Sequence, residues 1–284
     1  MGFSSLDDMI SEISSGKYQH TRFQKVSSNG ATSAAGRWHE WFTATGIPAA
    51  GSFTGTAGVA TQMTRTTTGA MDVNADVSTD TRHLLSGSMW TASSVITPAT
   101  AILVDMLLYY PACVVTGTPT TLDNTATLPR YTNGKGVMCI IAVQTALGAA
   151  SPALTLTYTD DSSNTGNASS AMTSPANSAP ISTMFAAGTG APFLPLLAGD
   201  VGIKKIESYT LASGTTGTAA FILVKPLAEF PIVAQYVPGE REFVTQLPAL
   251  PQIVDGACLG WLTLLGGAMT TSQAISGHIN FAWG

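Results

Sequence analysis

The chain has 284 residues and a mass of 29.3 kDa, and it is 45% hydrophobic but only 10% charged, with a formal net charge of −5. Charge this sparse excludes coiled coils and solvated helices, which need Glu and Lys on their outer faces, and a mean hydropathy of +0.24 excludes charge-driven disorder. A pI near 5.2 without a basic stripe excludes an electrostatic nucleic-acid binder, and no apolar run reaches the roughly 18–20 residues of a membrane-spanning helix.

The first element is a helix predicted over residues 4–16. Leu6, Met9, Ile10 and Ile13 repeat at i, i+3, i+4 and i+7, which makes one apolar face. Ser5 with Asp8 three residues on resembles a capping box, and Gly16 is a natural stop. Asp7, Asp8 and Glu12 make this a poor secretory signal, so the chain is expected to stay in the cytoplasm where it is made. Residues 17–30 alternate Lys17, His20, Arg22 and Lys25 with Tyr18, Phe23 and Val26. This stretch reads either as a surface connection or as an extended arm. With the helix it defines an N-terminal segment, 1–30, ahead of a β domain at 31–284 that has room for two packed β subdomains. A helix this short needs a partner surface. Leu6, Met9, Ile10, Ile13, Tyr18 and Phe23 are therefore the expected interface residues, on a tether that stays mobile until it docks.

From residue 31 the pattern is β. Roughly 39 threonines supply a polar, β-branched surface, and Gly and Pro supply turns. Trp38–Phe42 reads as a short aromatic strand, and 43–70 as loops with weak strands. Ile102–Tyr110 and Val137–Thr145 are apolar runs long enough to be buried strands. Leu154, Leu156 and Tyr158 alternate with Thr155, Thr157 and Thr159, the period of a half-buried strand. Asp160–Gly166 is a turn, with a return strand in 167–173. Ile203–Leu211 and Thr218–Val224 read as a hairpin, and Cys258–Leu265 and His278–Trp283 as the last strands. Prolines from Pro111 to Pro251 divide the runs. Many short strands between turn signals, without βαβ alternation, predict a mainly β, antiparallel sandwich or jelly roll.

Catalytic motifs are scarce. His39-Glu40 begins like HExxH, but Thr43 stands in place of the second His. Gly134-Lys135-Gly136 lacks the remainder of a phosphate loop and reads as a turn before Val137. GxSxG is absent. Asp160-Asp161 and the Glu240-Arg241-Glu242 group read as exposed loop charges, the latter suited to pairing across an interface. Cys113, Cys139 and Cys258 stand apart in apolar runs and read as buried thiols. No cofactor or metal is expected, nor an enzyme.

Four segments carry a family likeness: SSLDDMISEISSGKYQHTRFQK at the start, LPRYTNGKGVMCIIAVQTALG, APFLPLLAGDVGIKKIESYTL, and GHINFAWG at the end. Across most of its length the chain resembles a group of tailed-bacteriophage virion structural proteins, and its composition is similar to that of capsid decoration and tail proteins. The resemblance implies a non-enzymatic particle component, assembled in the host bacterial cytoplasm. The leading expectation is a capsid decoration, or cement, protein. It would bind the major capsid protein or other virion subunits and itself, as a homotrimer, but neither nucleic acid nor membrane. The alternative is a tail, baseplate or fibre-associated protein, with Trp38, Trp41, Trp90, Trp261 and Trp283 available to line a glycan site.

Overall fold

The computed structural model describes residues 2–27, 35–94, 96–115, 117–175, 182–187, 190–214, 216–245, 250–268 and 272–284. In chain order the elements are α1 (Leu6–Ser14), β1 (Tyr18–Val26), β2 (Trp38–Glu40), β3 (Thr45–Ile47), β4 (Thr61–Gln62), β5 (Arg82–Thr91), β6 (Ala99–Val114), β7 (Thr120–Thr121), β8 (Met138–Thr145) and β9 (Ala153–Asp160). They continue with β10 (Asn167–Ala168), β11 (Met172–Thr173), β12 (Ala186–Ala187), β13 (Ile203–Leu211), β14 (Thr218–Ile232), β15 (Gly239–Glu242), β16 (Gln252–Ile253), β17 (Leu259–Leu264) and β18 (Ala274–Trp283). The protein is mainly β and antiparallel, with one short N-terminal helix, as the strand pattern predicts. That helix is not long or apolar enough to cross a membrane.

Local chemistry sets the ends of α1. Ser5, in extended conformation, accepts a hydrogen bond from the Asp8 amide at 3.1 Å. The Asp8 carboxylate turns to the Ser4 amide and hydroxyl, both at 2.9 Å, so the box is completed one residue earlier than expected. At the other end Lys17 N–H donates to Glu12 O and Gly16 N–H to Ile13 O, both at 3.0 Å. This Schellman arrangement needs the left-handed φ of +95° that Gly16 adopts.

The strands form three sheets. A terminal sheet runs β15-β5-β18-β1-β3, with β16 also on β5. A central sheet runs β2-β17-β6-β14-β8, with β4 on β6, and a distal sheet runs β12-β11-β9-β13-β7, with β10 on β9. Residues 182–185 bridge the two edges of the central sheet. Met184 N–H donates to Trp38 O at 2.9 Å and Glu40 N–H to Ser182 O at 3.0 Å on one side. On the other side Val143 N–H donates to Thr183 O and Phe185 N–H to Ile141 O, both at 2.9 Å. These bonds join the β2 and β8 edges of the central sheet into a hydrogen-bonded ring.

Alternation along the ring sends side chains to two sides. Ile102, Val104, Met106, Ile140, Ala142, Ile222, Val224 and Met184 share one core. The opposite side serves two further cores. Ala99, Ala101, Leu103, Phe230 and Trp261 pack on Phe23, Leu84, Ile279 and Phe281 of the terminal sheet. Leu107, Tyr110, Cys139, Ile141 and Phe221 pack on Leu154, Leu156, Tyr158, Ile206 and Tyr209 of the distal sheet. The long strands β6 and β14 run through both.

Two sequence expectations are corrected here. Ile203–Leu211 and Thr218–Val224 do not pair as a hairpin: β13 pairs with β9 and β7, and β14 with β6 and β8. They meet face to face across a core, with the Tyr209 and Phe221 rings 4.8 Å apart. Each strand buries its apolar face in the core between the two sheets. Prolines expected as boundaries also lie within strands. Pro111 is inside β6, and Pro226 and Pro231 are inside β14; register shifts stand at Pro226/Ala228 and at Ala219/Phe221, opposite Tyr110–Cys113, while Pro231 pairs with Thr100 in register.

Between the two cores, on the same side of β6, sits Asp105. It is fully buried and holds Arg130 by two bonds, Nη2 to Oδ1 at 2.7 Å and Nε to Oδ2 at 2.9 Å. Burial raises the Asp105 pKa, while Arg130 and the Cys258 amide, at 2.8 Å, favour the carboxylate. We expect Asp105→Ala, which strands the guanidinium in a dry site, to cost about 3–5 kcal/mol of folding stability. Denaturant unfolding measures this, and a loss within ~0.5 kcal/mol, the range of an ordinary surface substitution, would refute the assignment.

Candidate interaction surfaces

The six expected interface residues fall in different environments. Leu6 and Ile10 are 58% and 53% exposed, and Tyr18 is 41% exposed. Met9 is buried against Leu85 and Ala282, with Ile13 half-buried beside them. Phe23 is buried in the core of the terminal sheet, its ring 5.0 Å from that of Trp261. Residues 18–26 are a sheet strand rather than an extended arm: β1 pairs with β18 along its whole length and with β3 at Gln24–Val26. Its alternation puts Tyr18, His20, Arg22 and Gln24 outward and Gln19, Thr21, Phe23 and Lys25 inward.

The outward face of the terminal sheet is a polar network. His20 Nδ1 lies 2.8 Å from Asn280 Oδ1, which also accepts from Tyr18 Oη at 2.8 Å. Arg22 Nε donates to His20 Nε2 at 3.3 Å, so His20 carries its proton on Nδ1. His278 stacks on His20 with centroids 4.8 Å apart. Its pKa is lowered by burial first, then by His20 and Arg22 against the opposing pull of Glu240. Glu240 is exposed on edge strand β15, whereas Arg241 donates to Glu229 O and lies over the Phe243 ring.

Two apolar clusters outside the N-terminal segment were missed by sequence reasoning. Val233, Tyr236 and Val237 are 60%, 69% and 47% exposed on a turn pinned to β5 by Tyr236 N–H donating to Thr91 O at 2.8 Å. Residues 191–201 border a groove of about 540 Å³ in which Leu197 and Val201 are 45% and 51% exposed. For the second cluster the hint was FLPLL, an apolar run that follows Pro192, contains Pro195 and is assigned by its period to no element.

His39 and Glu40 are both buried, on opposite faces of β2. Burial lowers the His39 pKa to about 3. Glu40 is raised by burial and meets the Thr43 amide at 3.2 Å, the Thr43 hydroxyl and Ser182. Ser182, at φ +72°, completes the ring closure beside it. Lys25 Nζ reaches Ala44 O at 2.9 Å, Pro48 O at 3.0 Å and Ala49 O at 3.2 Å, and burial lowers its pKa to about 8. Cys113, Cys139 and Cys258 are free buried thiols, as expected, and burial raises all three. Among the described residues no group of three or more His, Cys, Asp and Glu is placed to hold a metal ion. Trp38, Trp41 and Trp261 are core residues rather than surface ones.

No known family matches the chain, and no curated protein does. Among solved structures, the VP2 subviral particle of infectious bursal disease virus is similar at 9% identity, with 93% of this chain and 80% of that chain covered and a TM-score of 0.21. VP1 of trichodysplasia spinulosa-associated polyomavirus, in complex with GM1 oligosaccharide, is similar at 9% identity, with 94% and 95% covered and a TM-score of 0.26. Scores this low carry no argument about this chain.

Two outcomes follow. Deleting residues 1–28 removes β1 from inside a sheet and should unfold the terminal core, whereas deleting 1–15 should leave it folded; thermal melts distinguish the two. For Glu40 the folded pKa lies above the unfolded one, so its contribution is fully present below pH 4.5 and is lost as pH rises through the folded value. Glu40→Gln should therefore exceed the parent in stability at pH 7, with the gap closing below about pH 4. Equal urea midpoints at pH 7 would contradict this.

Proposed function

We propose that the chain is a non-enzymatic structural subunit of a virus particle, and within that class a capsid decoration, or cement, protein of a tailed bacteriophage. The observation that carries the reading is the surface. Three exposed apolar clusters, at Leu6 and Ile10, at Leu197 and Val201, and at Val233, Tyr236 and Val237, stand on a body with 10% charged residues. Neutral surface desolvates at less cost than Lys or Glu, and apolar clusters of this kind mark contacts with other proteins. The whole-chain resemblance to phage virion proteins supports the same class. The partners are the major capsid protein and further copies of this chain as a homotrimer, which suits the three-fold positions of a shell. The site of action is the virion, assembled in the host bacterial cytoplasm. The reading as a glycan-binding tail or fibre protein loses three of its five tryptophans to the core.

Purified particles test this. A cement protein should be present at on the order of hundreds of copies per particle and visible as shell knobs by electron microscopy. A few copies confined to the tail would overturn the decoration reading, and absence from particles would overturn the whole of it.

A further inference from the structure

Lys204 and Lys205 are the one adjacent pair of bases in the sequence. Along a regular strand they would point to opposite faces. In β13 the register on β9 slips between Ile203 and Lys205, so Lys204 is the extra residue of a bulge. Ile203 and Ile206 on either side are fully buried, whereas both lysines are half-buried and line one pocket of about 250 Å³. The pocket lies between β13, the end of β9 and the loop at 124–132.

Its floor is apolar, because Ala126 and Leu128 pack on the core of the distal sheet. Its walls are fixed. Asn124 Oδ1 accepts from Tyr110 Oη at 2.6 Å, Asn124 Nδ2 donates to Ile206 O at 2.8 Å, and the Thr159 hydroxyl donates to Glu207 Oε1 at 2.6 Å. Lys204 is held as well. Its stem passes over Gly134, where a Cβ would stand 2.8 Å from Lys204 Cγ, and its Nζ donates to Ser163 Oγ at 2.5 Å. A preformed pocket loses little entropy on binding.

The two ammonium groups carry charge without a direct counter-ion: among the described residues neither forms an ion pair. The neighbouring acids do not line the pocket and are engaged elsewhere. Glu207 takes the Thr159 hydroxyl and the Gly166 amide, and Asp160, near enough to feel the Lys204 charge, takes the Asn164 amide and side chain, both at 2.7 Å. Thr127 and Thr132 stand exposed at the mouth, with no hydrogen bond to either hydroxyl among the described residues. Cationic and hydroxyl donors therefore face a cavity whose floor is apolar. A bare inorganic anion would leave that floor uncovered, and a neutral ligand would leave the ammonium groups without the charge-assisted bonds that a carboxylate offers. We propose that this pocket binds a small organic carboxylate, with its head group on Lys204 and Lys205 and its hydrocarbon body on Ala126 and Leu128. The site stands apart from the particle reading, which its failure would leave unchanged.

The test is calorimetric titration of the full chain with hexanoate, with 1-hexanol and inorganic phosphate as comparison probes. Hexanoate should bind saturably, and the other two should bind about tenfold more weakly or less. Lys204→Gln with Lys205→Gln should weaken hexanoate by about tenfold or more, while Lys135→Gln, outside the pocket, should leave it unchanged. Ala126→Leu, which fills the floor without touching the charge, should abolish binding and covers the case in which the double variant fails to fold, as judged by circular dichroism. No saturable binding of hexanoate, or an unchanged affinity in the folded double variant, would overturn the site. Hexanol or phosphate binding as tightly as hexanoate would overturn the assignment to a carboxylate with an apolar body.

Discussion

Asp105 and Arg130 form the polar joint on which the three sheets converge. Asp105 lies at the midpoint of the longest strand, between the core facing the terminal sheet and the core facing the distal sheet. Arg130 holds it by two bonds and spends its other donors on Met63 O and Met106 O, both at 3.0 Å, while the Cys258 amide closes on the carboxylate. Three chain segments thus have backbone groups satisfied by one ion pair. A lone carboxylate here would carry an uncompensated desolvation cost, and a lone guanidinium likewise. The bidentate geometry ties the carboxylate to one partner in one orientation.

That joint lets one continuous sheet serve several cores. Closure by residues 182–185 joins the β2 and β8 edges of the central sheet. Exposed apolar side chains stand on an acidic helix with a spare apolar flank, at the groove of residues 191–201, and on the turn at Val233–Val237.

The expectations that failed share a cause. Pro226 and Pro231 mark ends in a linear reading, yet β14 carries both, Pro226 beside a register shift and Pro231 in register with Thr100. Ile203–Leu211 and Thr218–Val224 have the spacing of a hairpin, but their apolar faces meet across one core instead. Tyr18–Val26 looked like an arm because its outward residues are polar; the inward set of Gln19, Thr21, Phe23 and Lys25 is mostly polar too. Lys25 is buried only because four backbone carbonyls converge on its ammonium, at Phe42, Ala44, Pro48 and Ala49.

Local chemistry was legible in the residues. The helix, its Ser5 cap and Gly16 stop, the alternation of β9, the turn at Asp160–Gly166, the three buried thiols and the antiparallel β class all follow from periods and propensities that act over a few residues. Asp105 inside an apolar run was a visible irregularity, but its partner was not, because Arg130 is 25 residues away in a loop with no period. The ring closure, the sharing of one sheet by separate cores, and the split of the α1 stripe into a buried and an exposed flank were decided only in three dimensions. Each depends on which faces meet, and that is set by the summed burial of the whole chain rather than by any local preference.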